Sequence, residues 1–242
     1  MTGTYITRTR KVYTFEELGH KERQKAIDLC RQDAHETLDE YWVEEGLREE
    51  ALRAMFDNAT ESWNTYFGIK DKAYRNSPRV EYSLGYRQGD GVALFGDFPR
   101  ELVPNWQLPE QIAYVRLSRI SHHYTHYNSF ITEFHDEEGN VMAEALPNGA
   151  RIWITENGGY NTFIGHGKND LMTEVQTAFY DAVTHSDSII RALCRKLERV
   201  GYDLIDDYTS EDNALETIAS SDYPRQYNED GTLAPREWWS KD

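Results

Sequence analysis

Residues 82–96 read Tyr82-Ser83-Leu84-Gly85-Tyr86-Arg87-Gln88-Gly89-Asp90-Gly91-Val92-Ala93-Leu94-Phe95-Gly96, and this run decides the fold class. Tyr82, Leu84 and Tyr86 alternate with Ser83, Gly85 and Arg87, the period of a strand with two unlike faces. Val92, Leu94 and Phe95 resume the apolar pattern. Between them Gly89-Asp90-Gly91 supplies residues that tolerate positive φ, as a tight hairpin corner requires; a bulge is the equal alternative. The run also admits a second reading as a ligand loop, because glycines let a backbone approach a ligand closely and consecutive amides can form an anion nest. Asp90 would repel a bare phosphate but can accept from a sugar hydroxyl or a base edge, or help to hold a cation. No Gly-Lys-Ser/Thr follows, so the run is not a P-loop. No helix pattern opens after it, so it is not a dinucleotide fingerprint.

Working outward, Thr14-Phe15-Glu16-Glu17 predicts a capping box with Tyr13 and Leu18 stapling the turn, and a helix to about Leu38. A second helical pattern covers 39–67, with Gly68 suited to its C-terminus. Pro78 marks a boundary before Arg79-Val80-Glu81 leads into the hairpin. Three prolines make 97–111 a loop or insertion, with Trp106 as a lid anchor or surface contact. Residues 112–117, 124–134, 141–145 and 151–155 are strand candidates, and 157–167 a glycine-punctuated loop. A long helix follows from Asn169 or Asp170 to Val200, ended by Gly201 and broken or kinked at Thr184-His185-Ser186-Asp187-Ser188. Beyond it come a short helix at 211–220, a turn at Asp230-Gly231 and the pair Trp238-Trp239, expected to dock. Residues 4–13 are a candidate first strand. The expected class is α+β: an antiparallel sheet around the glycine-rich hairpin, packed against N-terminal helices and a long C-terminal helix. The expected organisation is one domain over 1–201 (helical 14–68, mainly β 78–156, helix 169–200), with 202–242 as an acidic extension docked on it.

The formal charge is −16, which disfavours general binding to nucleic-acid backbone. Acidity suits basic partners, DNA mimicry or simple solubility. Cys30 and Cys194 are too few and too far apart in sequence for a disulfide framework or a thiolate zinc site. No apolar run approaches a membrane span and the N-terminus lacks a signal-peptide core. A soluble protein of a reducing cytoplasm is expected.

Tyr13-Thr14-Phe15-Glu16-Glu17-Leu18, the Trp-bearing acidic helix ending at Gly68-Ile69, the Tyr82-Ser83-Leu84 to Gln88-Gly89-Asp90-Gly91 run, the His/Tyr-rich strand, the late helix and the Tyr223–Gly231 stretch together carry a resemblance. The chain resembles a family of small hypothetical proteins found in phages, prophages and bacterial accessory DNA. Family members read more like Phe-Ser-Gly-Phe-Trp-Ser-Gln-Gly-Asp-Gly-Ala at the centre; here the aromatics are tyrosines, Arg87 precedes Gln88, and the middle is longer. The resemblance implies a phage-encoded protein in the cytoplasm of a bacterial host. It implies no activity.

The densest chemical cluster is His122, His123, Tyr124 and His126. On a strand His122, Tyr124 and His126 would share a face, yet residues four apart rise about 13 Å, too far to share a metal without a bulge. No metal-ligand spacing, no Ser or Cys nucleophile motif and no cofactor motif is present. The candidate ligand-binding residues are Tyr82, Tyr86, Gln88, Gly89, Asp90, Gly91, Tyr124 and His126. The expected function is that of a binding protein that modulates a host protein, a counter-defence inhibitor being one form. The alternatives are a protein that binds or hydrolyses a nucleotide signal with the hairpin and the His/Tyr strand, and, more weakly, an acidic DNA mimic.

Overall fold

The computed structural model describes residues 11–38, 40–56, 63–67, 76–85, 87, 90–120, 125–147, 151–154, 160–163, 174–220 and 225–235. The described elements are helices α1 (His20–Glu36), α2 (Glu40–Met55) and α3 (Trp63–Phe67), strands β1 (Arg79–Ser83), β2 (Gly91–Pro99), β3 (Tyr114–Arg119), β4 (Phe130–His135), β5 (Val141–Ala145), β6 (Arg151–Ile154) and β7 (Tyr160–Phe163), and helices α4 (Glu174–Tyr208) and α5 (Glu211–Ala219). The fold is α+β with an antiparallel sheet. Contacts divide the chain into one unit of Met1–Asp39 with Leu204–Asp242 and a larger unit of Glu40–Asp203. Residues 14–38, expected in a domain with the sheet, group instead with the C-terminal segment. The physical reason is that the apolar stripe of α1 finds its match in α5: Ile27 and Cys30 pack with Ala214 and Ile218, and Leu18 and Ala26 pack with Tyr227.

In the smaller unit a 3-10 turn, Phe15–Glu17, precedes α1, so the helix predicted from Thr14 is interrupted at Leu18 and restarts after Gly19. The predicted capping box forms, with the Thr14 amide donating to the Glu17 carboxylate at 2.9 Å. The Asp230-Gly231 turn forms as expected, with Gly231 at φ +80° and no room for a Cβ, which would lie 2.3 Å from the Glu22 carbonyl oxygen. Lys25 pairs with Asp230 at 2.9 Å. Residues 4–10 of the candidate first strand, Gly68 and Trp238-Trp239 lie outside the described residues.

In the larger unit the strand order is β1-β2-β3-β4-β5-β6-β7, each strand antiparallel to its neighbours. This meander is what short turn-linked β segments build when each pairs with the next. Register aligns Phe98, Val115, Phe134 and Ala143 in one row, and Asp97, Arg116, Glu133 and Glu144 in the next. Phe98, Val115 and Phe134 are fully buried while the charged row is half-buried, the in–out alternation of a sheet covered on one face. β7 lies where the glycine punctuation predicts a loop over 157–167; it pairs with β6 from Arg151↔Phe163 to Ile154↔Tyr160. Pro99 ends β2 and two 3-10 turns follow, Arg100–Leu102 and Pro104–Trp106. Trp106 is neither lid nor surface contact: it is fully buried against Phe98, ring centroids 4.9 Å apart.

Gly96 carries φ +111°, and a Cβ there would lie 2.5 Å from the Ser77 carbonyl oxygen. The Asp97 amide donates to the Asn76 carbonyl at 2.7 Å, so the chain entering β1 is tied to the middle of β2 beside a position that needs a glycine.

α4 runs unbroken through two predicted interruptions. Ser186 and Asp187 are fully buried; their polar groups are matched rather than wasted, which removes the reason to break the helix. The Thr132 hydroxyl of β4 donates to Asp187 at 2.7 Å, and Arg191 Nε donates to both Asp187 oxygens at 3.1 and 3.0 Å. Arg191 also donates to the carbonyls of Tyr127 (2.5 Å), Phe130 (3.5 Å) and Ala145 (3.4 Å). Gly201 does not end the helix. It lets the helix touch Leu84, whose Cδ1 would lie 2.4 Å from a Cβ.

Removing one partner of a buried pair strands the other charge, which costs about 3–5 kcal/mol. Asp187→Ala is therefore expected to lower unfolding free energy by about 3–5 kcal/mol in urea titration, and the double change Asp187→Leu/Arg191→Met by clearly less. Equal losses would mean that the pair is not what holds α4 to the sheet.

Candidate functional site

The register places the end of β1, the start of β2, the end of β3 and the start of β4 at one end of the sheet, since Ser83 pairs with Gly91 and Arg119 with Phe130. Described residues of the two connections come together there: Gly91, just after Asp90, lies against Thr125, His126 and Glu198 of α4, and Leu84 lies against Gly201.

β1 ends at Ser83, short of the predicted alternation to Tyr86. Leu84 turns inward onto Leu47 and Gly201, as their shared clearance around Gly201 shows. Asp90 then closes the loop on itself. Its carboxylate accepts from the Ser83 hydroxyl (2.5 Å), the Gly85 amide (2.8 Å) and the Arg87 amide (2.6 Å), while its own amide donates to the Arg87 carbonyl at 3.1 Å. Partial burial pushes the Asp90 carboxyl up, but these bonds and the Arg87 charge outweigh it and hold the pKa below the ordinary value. A carboxylate so engaged shapes the loop, as an aspartate in a turn commonly does.

Gly91 is the first residue of β2. At φ +156° a Cβ there would lie 2.9 Å from the Thr125 carbonyl oxygen, 3.2 Å from His126 Cδ2 and 3.3 Å from Glu198 Oε2. Three elements thus converge on a position that only a bare backbone can occupy. His126 belongs to a turn and not, as predicted, to a strand: β4 begins at Phe130. The Ser129 hydroxyl donates to the His126 carbonyl at 2.6 Å and accepts from the His126 amide at 3.1 Å. The Asn128 amide donates to His126 Nδ1 at 3.2 Å, so the proton of the neutral ring sits on Nε2. Burial lowers the His126 pKa below 6.5, and the Glu198 charge only partly offsets it. The ring lies 3.9 Å from that of Tyr127, whose other neighbour is the Arg195 guanidinium at 4.9 Å.

Of the residues singled out from sequence, Asp90, Gly91 and His126 come together here, and Tyr82 sits one register position away, opposite Val92. Tyr86, Gln88, Gly89 and Tyr124, with His122 and His123, lie outside the described residues. Tyr127, Ser129, Arg195 and Glu198 were missed. The signal for the last two was present: Asp187, Arg191, Arg195 and Glu198 recur every three or four residues, polar positions on or beside the buried stripe of a helix. Among the described residues no three His, Cys, Asp or Glu side chains are grouped to hold a metal ion. Cys194 is fully buried and its thiol is pushed up by burial to about 12, out of reach of thiolate chemistry at neutral pH. No described helix is long and apolar enough to cross a membrane.

Compared with family models, with curated proteins and with solved structures, the chain finds no match.

Because the His126 pKa is lowered on folding, the unfolded chain takes up that proton first as pH falls. The neutral ring therefore contributes stability that is complete above about 6.5 and is lost as pH drops through the folded value. Imidazole NMR is expected to show His126 titrating below 6.5, and lower still in Glu198→Gln. Titration at or above 6.5 would contradict the burial of the ring.

Proposed function

We propose that the protein acts by binding, as a phage-encoded chain that presents the 84–90 loop and the 125–129 turn to a protein of the host cell and so modulates it. The observation that carries this reading is the internal commitment of Asp90: its carboxylate accepts from Ser83 at the end of β1 and from the Gly85 and Arg87 amides, so these described residues are ordered before any partner binds, which lowers the ordering cost of binding. The charge of −16 favours a partner with a basic face, and the phage resemblance supplies the setting.

A second reading has its own observation. The His126 and Tyr127 rings, with the Arg195 guanidinium over Tyr127 and the Glu198 carboxylate near His126 at Gly91, offer stacking and base-edge hydrogen bonding for a nucleotide-like ligand. DNA mimicry draws less support, because the acids of α2 do not form an unbroken row. Arg48 pairs with Glu44 and Glu45, and Arg53 with Glu49 and Glu50.

The test is affinity capture of the tagged full chain from bacterial lysate, analysing both retained proteins and retained small molecules. The binding reading predicts one stoichiometric protein, lost with Arg87→Glu at the exposed loop position, and no retained nucleotide. A retained nucleotide, lost with His126→Ala, would replace it by the second reading. Neither retained would refute both.

A further inference from the structure

In the other described arginine–carboxylate pairs of the larger unit, those of Arg48, Arg53, Arg116 and Arg191, the carboxylates equal or outnumber the arginines. Arg116 Nε and Nη2 hold Asp97 in a fork at 2.7 and 2.9 Å, and Arg48 and Arg53 each take two glutamates. At β1 and β3 the stoichiometry is reversed. Arg79 Nε pairs with Glu81 at 2.7 Å, and Arg119 pairs with the other oxygen of the same carboxylate. Both guanidiniums also lie over one buried ring, Phe95, at 5.5 Å for Arg79 and 4.6 Å for Arg119. Two cations are thus gathered on one anion and one aromatic ring, leaving one positive charge in surplus within an acidic chain.

This arrangement has a physical cost. Like charges held close repel, and partial burial deepens the repulsion. Burial first, and the Arg79 charge second, lower the pKa of Arg119, and its contact with Glu81 does not reverse this. Neither arginine was singled out from the sequence, because register alone brings them together: Arg79 pairs with Phe95, and Gly96 with Leu117 two residues before Arg119. The Arg79 side chain is 43% exposed, Glu81 29% and Arg119 19%, so solutes reach the cluster mainly from the Arg79 side.

We infer that Arg79 and Arg119 form a binding site for a phosphate-type oxyanion, with Glu81 as the gate that spaces the two guanidiniums. Planar guanidinium forks match tetrahedral oxyanions bidentately, and the Phe95 ring packs against both guanidiniums without accepting from them as a carboxylate would. The anion is either free phosphate or a phosphate ester. The site is distinct from the His126 corner and does not depend on the proposed binding function.

The experiment is isothermal titration of the full chain at pH 7 and constant ionic strength. The probes are inorganic phosphate, phenyl phosphate and, as controls, acetate and chloride. Phosphate at about ten times its Kd should also raise Tm by roughly 3–6 °C. Arg79→Gln, a change at an exposed side chain, should weaken phosphate binding by about tenfold. Glu81→Gln should strengthen it by about fivefold or more, because a neutral amide no longer competes for the guanidiniums. Tighter binding of phenyl phosphate than of inorganic phosphate would assign the site to an ester, and equal binding to the free ion. An ion pair that only braces the sheet predicts the opposite pattern: no phosphate response beyond that of acetate or chloride, or the same phosphate affinity in wild type and Arg79→Gln. Either result overturns the site.

Discussion

A guanidinium buried between a helix and a sheet must find acceptors for its donors or give up several kcal/mol. Arg191 finds them in four places: the Asp187 carboxylate one turn earlier on α4, and the carbonyls of Tyr127, Phe130 and Ala145. Asp187 in turn accepts from Thr132. The pair therefore does more than fill space under the sheet. It fixes the height and rotation of α4 against β4 and β5, and it clamps the turn that leads into β4. The apolar residues around it (Phe130, Ile190, Cys194 and Leu197, all nearly or fully buried) supply the bulk of the burial energy. The polar network selects which of many similar apolar arrangements is adopted.

Consequences reach the end of the sheet. With α4 set in place, Gly201 admits Leu84, and Glu198 comes up to Gly91 beside His126. Among the described loop residues, Leu84 is held against Gly201, and Asp90 ties Gly85 and Arg87 to Ser83 at the end of β1. Order fixed before binding is what a binding surface needs. The neutral imidazole of His126 completes the corner, its Nδ1 accepting from the Asn128 amide.

Much of this was legible in the residues. The α+β class, the strands at 141–145 and 151–154, the short helix at 211–219 and the turn at Gly231 follow from period and turn chemistry. The sequence also pointed to Asp90, Gly91 and His126. What it could not give was set by long-range contact. Ser186 and Asp187 look like a helix break until Thr132 and Arg191 are brought to them from other parts of the fold. Gly201 looks like a stop until Leu84 is seen to need its missing side chain. His126 looks like a strand residue because Tyr124 to Phe134 is rich in β-formers; the local bonds of Ser129 and Asn128 bend it into a turn. The smaller unit was hidden for the same reason, since α1 and α5 meet across nearly the whole chain length.

The central claim is that Arg191 positions the sheet end, and hydrogen–deuterium exchange on Arg191→Met tests it most directly. Methionine keeps much of the volume and leaves the apolar contacts of α4 in place. The account predicts that amides from His126 to Ile131 and around Gly91 lose protection, while β1 and the smaller unit keep theirs. Unchanged protection at His126 to Ile131 would contradict it and leave the turn held by its own Ser129 and Asn128 bonds alone.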